Sequence, residues 1–493
     1  MVDSPRHRRY AADYSPPEVR HALRYITVAW VFGAAHFAIT GGATFASFLK
    51  TYLHVDDLVY GLVMAAGPAA SVFWFLGSYV VERTGRSKPI FLIFVTSHRL
   101  VWMSLALTPL LLAHGLRSVA VALVVTVAFV SAAAASFGGV GWYTWMATIV
   151  PRTLAGRYFG HRARLGLLSM LTAGILAAVV VDHFHGAGAV YALVFTVAAV
   201  LGAIDILLFL RVREAPRPGT EERPTLAEIL VTPWRDQRFR VFAAYVAVTW
   251  VAYAMLGSFV FPFCFERVEH HGLGFSLFQA TALVVILPQL MSAWAAPAWG
   301  RAIDRFGPKP VLRAGSMATV FFPALWLVTH SRSGAGEWNL TWLVPVCMAL
   351  CGLAQPALDQ TLVYLQLRHF PEHRRTAYTA TYMVVAGLAA VVGAMLGGVS
   401  ATFWHAHLQL VPLRPSWLSH YHPVFLTSIA LRYLSFRILF PNLRMEGRAG
   451  CRVVFRAVAK DVLSGLRLLG GRLVGGRLFG GRLVGGRVGA VVE

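Results

Sequence analysis

An all-α polytopic membrane protein is the fold class this sequence predicts, with twelve transmembrane helices in two pseudo-symmetric six-helix bundles. Three observations predict it. Of 493 residues, 57% are hydrophobic and only 13% charged, whereas a soluble chain carries about a quarter charged. The apolar runs reach about 20 residues or more, enough to cross a hydrocarbon core of roughly 30 Å. Finally, arginine-rich short loops alternate with arginine-poor ones along the chain.

The runs predict spans at 24–45, 58–81, 89–114, 118–148, 163–183, 189–210, 241–264, 275–300, 310–330, 340–367, 377–403 and 423–440. Loop charge tests that count. Arg83, Arg86 and Lys88 follow the second span, Arg152, Arg157 and Arg162 the fourth, Arg301, Arg305 and Lys309 the eighth, and Arg368, Arg374 and Arg375 the tenth. The opposite loops hold only Lys50, Arg117, Arg267, Arg332 and Arg414. By the positive-inside rule both termini are expected in the cytoplasm, with the chain multi-pass in the cytoplasmic (inner) membrane. The net charge of +22 thereby finds a topological explanation, and nucleic acid is not expected as a partner.

The segments then read as a cytoplasmic N-terminal stretch (1–23), a first six-helix bundle (24–210), a proline-containing cytoplasmic linker (211–240), a second bundle (241–440) and a basic tail (441–493). The two bundles repeat each other. Ser78-Tyr-Val-Val-Glu-Arg-Thr-Gly85 follows the second span and Gly300-Arg-Ala-Ile-Asp-Arg-Phe-Gly307 the eighth; Pro151…Tyr158 follows the fourth and Pro371…Tyr378 the tenth. Glu82 and Asp304 are 222 residues apart and Pro151 and Pro371 are 220 apart, so both pairs point to one duplication. Internal repeats of this kind mark transporters that alternate access around a midplane site. In the tail, Arg-Leu-x-Gly-Gly units recur every five residues, and their paired glycines predict disorder rather than helix, read either as a basic tail on anionic lipid or as a low-complexity expansion without a specific role.

At the repeated loops the sequence resembles the major facilitator superfamily, whose loop between the second and third helices carries Gly-x-x-x-Asp-Arg-x-Gly-Arg-Arg/Lys. Gly300, Asp304, Arg305 and Gly307 match the second copy; Arg83, Gly85 and Arg86 match the first, where Glu82 replaces the aspartate. The resemblance runs from about residue 24 to 440. The fourth span has no arginine and the fifth no Gly-Pro-x-x-Gly-Gly, two departures from the proton-driven drug exporters of that superfamily.

Ionisable groups at membrane depth are costly, and so are functional candidates. Here they are His36, Arg99, Asp205 and Asp359, with Arg432 and Arg437 near the end of the twelfth span, where long side chains can snorkel. Arg99 and Asp205 enter from the same face to similar depth and are expected to form a buried pair. The resemblance implies that the first, fourth, seventh and tenth helices line the cavity. Asp359 is therefore the foremost proton-coupling or substrate candidate, and His36 the second, facing it across the cavity. Phe45, Trp142, Tyr143, Trp250, Tyr253, Gln355, Gln360 and Tyr364 are the cavity candidates, since aromatic walls with a few polar groups suit an organic solute. Glu82, Arg83, Gly85, Arg157, Asp304, Arg305, Gly307 and Arg375 border the cytoplasmic mouth and form the candidate gate.

Cys347 and Cys351, one helical turn apart in an apolar run, read as packing groups. The loop histidines His183, His185, His270, His271, His405, His407, His420 and His422 read as solvated, so no metal is expected. The chain has no Gly-x-x-x-x-Gly-Lys-Ser/Thr, His-Glu-x-x-His or Gly-x-Ser-x-Gly, so neither enzyme activity nor a cofactor is expected. The expected function is secondary transport of a small organic molecule by a monomer embedded in membrane lipid and coupled to protons. An uncoupled facilitator and a transporter-like solute sensor remain alternatives.

Overall fold

The structure, a computed structural model, describes residues 15–150, 155–214, 226–331, 338–368, 375–410 and 415–474, apart from 444, 446 and 448. Twelve helices are long and apolar enough to span a bilayer: α1 (Pro16–Tyr52), α2 (Asp57–Val81), α3 (Ser87–Ala113), α4 (Arg117–Met146), α5 (His161–His183), α6 (Gly188–Phe209), α7 (Gln237–Phe265), α8 (Leu277–Phe306), α9 (Pro308–Leu327), α10 (Leu343–Leu365), α11 (Tyr378–Leu410) and α12 (Tyr421–Asn442). Among the described residues no strand occurs. The chain is a multi-pass, all-helical membrane protein. An even number of crossings leaves the chain ends on one face, the termini face; the other is the distal face.

Local chemistry sets the helix ends. Ser15 caps α1 in a capping box with Glu18, and the Asp56 carboxylate accepts the Val59 amide at 2.7 Å to start α2. After α2 and α8 the backbone turns at Gly85 (φ +66°) and Gly307 (φ +83°). The positive φ explains glycine at both repeated positions. A second likeness between the halves is a 3-10 stretch in the third helix of each, Val101–Leu107 in α3 and Phe322–Leu327 in α9.

Within the first half α1 packs on α5 and α6, and α3 on α4 and α6; within the second, α7 packs on α11 and α12, and α10 on α8 and α9. Two lateral seams join the halves, α2 against α11 and α5 against the start of α8, and between them the distal end of α1 packs on α7 and α8. The α2–α11 seam is the closer. A Cβ on Gly61 would lie 2.8 Å from the Ala394 carbonyl, one on Gly398 would lie 2.9 Å from the Asp57 carbonyl, and one on Gly387 would strike Ser71. At Gly174 on α5 an added Cβ would meet Thr281 at an ordinary 3.7 Å.

The tail corrects an expectation. Residues Cys451–Val474 form a helix, α13, rather than the disordered segment that the glycine pairs predict; 475–493 lie outside the described residues. Val454 and Val458 are buried against Ala295, Ala298, Trp299 and Ala302 of α8. Burial of one apolar face outweighs weak intrinsic propensity.

Candidate functional site

The strongest candidate site lies between α7 and α10, toward the termini face. Tyr245, Thr249 and Tyr253 recur every four residues on α7, joined by Val246 and Trp250; Gln355 and Asp359, with Leu358 and Leu362, do the same on α10. Residues four apart share a helix face, so the two stripes meet across a narrow cleft of about 40 Å³. The Trp250 and Tyr253 rings, 6.4 Å apart, make an aromatic wall. Gln355 donates its side-chain amide to Asp359 Oδ1 at 2.9 Å, and Asp359 is otherwise exposed to the space. Among the described residues the lining contains no cationic side chain. A carboxylate in apolar surroundings is costly without a counter-charge, so this one is suited to receive a proton or an ammonium group.

Arg432 lies behind that wall. Its guanidinium sits 4.0 Å over the Tyr253 ring and donates to the Thr319 carbonyl at 3.0 Å. It is buried, not snorkelling: α12 continues to Asn442, which leaves Arg432 about 15 Å from the helix end.

Of the other cavity candidates, several face elsewhere. Phe45 is core, edge-on to Trp102 at 5.1 Å and near Phe195. Gln360 donates to the Ala296 carbonyl of α8 at 2.9 Å, and Tyr364 packs on the cluster around Trp299. Trp142 lies under the Arg162 guanidinium at 4.9 Å, while Tyr143 is 62% exposed on the α4 surface beside Trp74. The residue types were right for a cavity, but each 100° step around a helix changes what a side chain meets.

His36 also turns away from Asp359. It is fully buried in the first half, with Nδ1 2.9 Å from the Ala198 carbonyl and its ring 5.4 Å from that of His98. It joins a polar centre in which Arg99 Nη2 donates to Asp205 Oδ2 at 2.7 Å, both side chains about 95% buried. Arg99 also lies 4.4 Å over the Phe37 ring. His98 Nδ1 and Trp102 Nε1 converge on Ser131 Oγ at 2.7 and 2.8 Å. Gly33 is small because any side chain there would collide with the Asp205 carboxylate.

The candidate gate on the termini face is not assembled among the described residues. Arg83 donates to Tyr79 on its own helix at 2.6 Å, Arg305 lies over neighbouring Phe306, and Asp304 is exposed without an ion pair to any described residue. The side chains of Glu82, Arg157 and Arg375 lie outside the described residues.

The links between halves are on the distal face instead, where sequence reasoning placed none. Asp57, at the start of α2, holds Lys50 at 2.9 Å and accepts the Tyr421 hydroxyl at 2.9 Å; His420 Nε2 is 3.2 Å from its other oxygen. Tyr421 and His420 belong to the second half. A second clamp uses Asp182 at the end of α5, whose carboxylate accepts the Leu277 and Phe278 amides, at 3.0 and 2.8 Å, at the start of α8. These are free amides of a helix N-terminus, which favours an anion. His420 and His422 are thus buried and bonded, not solvated as their loop position suggests. A usable signal was present: Asp56-Asp57 is an acidic pair in a distal loop beside the lone basic Lys50.

Comparison with known proteins agrees with this architecture. The family model described as Major Facilitator Superfamily matches residues 28–287 and 268–442. No curated protein matches the chain. Among solved structures, a point mutant of the nucleoside transporter NupG superposes with a TM-score of 0.66 at 13% identity, covering 86% of this chain and all of that one. An auto-inhibited POT family peptide transporter gives 0.63 at 13% identity over 88% of this chain and 99% of its own. A bacterial homologue of the human lysosomal transporter Spinster, inward-facing and unoccupied, gives 0.58 at 11% over 91% and 99%. At such identities the likeness is one of fold.

Proposed function

Because the chain belongs to the major facilitator superfamily and is a membrane transporter, we propose that it moves a small organic solute by alternating access, with proton movement coupled through Asp359. The observation that carries this reading is the α7–α10 pocket, with its aromatic wall and a carboxylate whose hydrogen-bond partner among the described residues is the Gln355 amide. Both termini are read as cytoplasmic, since Arg83, Arg86, Arg235, Arg238, Arg240, Arg301 and Arg305 are all exposed on the termini face. On this reading the distal clamps hold the external side closed while the pocket lies nearer the cytoplasm.

The test is reconstitution of the purified protein in liposomes and a screen of organic solutes with and without an imposed pH gradient. Uptake that the gradient drives supports coupling. Uptake that equilibrates identically in both conditions leaves a facilitator, and saturable binding without uptake leaves a sensor.

A further prediction concerns the distal clamp. Asp57→Asn removes the charge that accepts the Tyr421 hydroxyl and faces His420 Nε2 across the two halves, at a site where all three side chains are buried. Charged hydrogen bonds of this kind contribute about 1.5–3 kcal/mol, so the population open on the distal face should rise roughly tenfold or more. Spin-label distances across that face should show a longer component. An unchanged distribution would remove Asp57 from gating.

A further inference from the structure

We propose that α13 is a docking surface for anionic lipid headgroups of the leaflet at the termini face, and that it is mechanically tied to the α8–α9 loop. The amphipathic division of the helix carries the argument. Val454 and Val458, 0% and 6% exposed, face α8 and α9, and Phe455 packs on Trp299 with ring centres 6.1 Å apart. On the outward face Arg452, Arg456 and Lys460, at successive four-residue steps, form a cationic stripe. Val453 and Leu463, 52% and 56% exposed, flank it.

The position of the helix selects the partner. Before α13 the chain passes over the α8–α9 turn: Gly447 packs on the Phe306 carbonyl and Pro310, and Lys309 donates to the Leu443 carbonyl at 2.9 Å. Arg301, one turn from the end of α8, then binds Asp461 at 2.8 Å. The helix is therefore fixed where apolar spans give way to charged loops, which is the level of lipid headgroups. A basic face interspersed with exposed aliphatic side chains has the character of an interfacial helix on an anionic membrane. The Asp461–Arg301 contact places this surface on the last turns of α8, which carry Asp304 and Arg305, so lipid bound to α13 bears directly on the segment that must move if the termini face opens and closes.

The experiment uses the full chain, purified in neutral detergent with an equimolar mixture of phosphatidylglycerol and phosphatidylcholine, and counts retained lipids by native mass spectrometry. The wild type should retain phosphatidylglycerol preferentially. R452Q/R456Q/K460Q should lose that preference by roughly fivefold for each cation removed, with greater sensitivity to salt in the partial variants. R235Q/R238Q/R240Q removes three exposed arginines of the same face outside α13 and should keep the preference. An equal loss in both triple variants means diffuse surface charge and overturns the assignment, as does undiminished retention in R452Q/R456Q/K460Q. If that variant proves unstable, R452K/R456K, which keeps charge, must retain wild-type preference while each single Gln variant lowers it. For the mechanical tie, Asp461→Asn should still retain phosphatidylglycerol, but spin labels across the termini face should no longer respond to it. A response equal to wild type would remove the tie. Selective capture of an acidic protein with no lipid preference would refute the lipid assignment.

Discussion

Asp359→Asn is expected to abolish gradient-driven accumulation while leaving exchange of solute across the membrane measurable. Asparagine keeps the size of the side chain and can still bond Gln355, so the pocket should survive, yet it cannot take up and release a proton. One pH unit corresponds to about 1.4 kcal/mol, or roughly tenfold accumulation for one coupled proton. In the variant that ratio should fall to about one. The measurement is uptake into proteoliposomes under an imposed gradient, paired with counterflow in its absence. Unchanged accumulation would eliminate Asp359 as the coupling residue. Loss of both activities in a well-folded variant would make it a substrate contact instead.

The second large effect should appear in folding. Asp205→Ala strands the Arg99 guanidinium in the interior of the first half, where its other contacts among the described residues include the Phe37 ring and His98 Nε2 at 3.5 Å. Removing one partner of a buried pair costs about 3–5 kcal/mol, a large share of the stability of an ordinary domain. Folded yield and thermal midpoint, followed by size-exclusion of the detergent-solubilised protein, should both drop sharply. Arg99→Met combined with Asp205→Leu should recover much of the loss, because an apolar pair carries no desolvation penalty. A single variant as stable as wild type would show that water or another group neutralises Arg99.

The two variants also separate what was legible in the sequence from what was not. Span number, the repeated loops and the Arg99–Asp205 approach could be read because each depends on position along a helix axis. Hydrophobic run length and loop charge report that coordinate directly. Phe45, Gln360, Tyr364 and His36 were misplaced because facing depends on rotation about the axis. Over an apolar helix surrounded partly by lipid and partly by protein, periodicity is too weak to fix that rotation. The distal clamp was missed for a different reason. Asp57 and Tyr421 are 364 residues apart, and no local pattern links them. The α13 helix was missed because its stability comes from the α8 surface rather than from its own glycine-containing sequence.

Under the alternating access proposed here, the unequal seams would serve as a hinge edge and a free edge. Along α2–α11, Gly61 and Gly398 let backbone ride on backbone, and Gly387 admits the Ser71 side chain. The α5–α8 seam has ordinary spacing at Gly174 and is fastened at its distal end by Asp182, beside the buried Leu277 and Ala280. If the halves rock as proposed, they should swing like a door about α2–α11 rather than part symmetrically. A solute would then meet the widest aperture on the α5–α8 side in either orientation, and a valine at Gly61 would act as a wedge in the hinge.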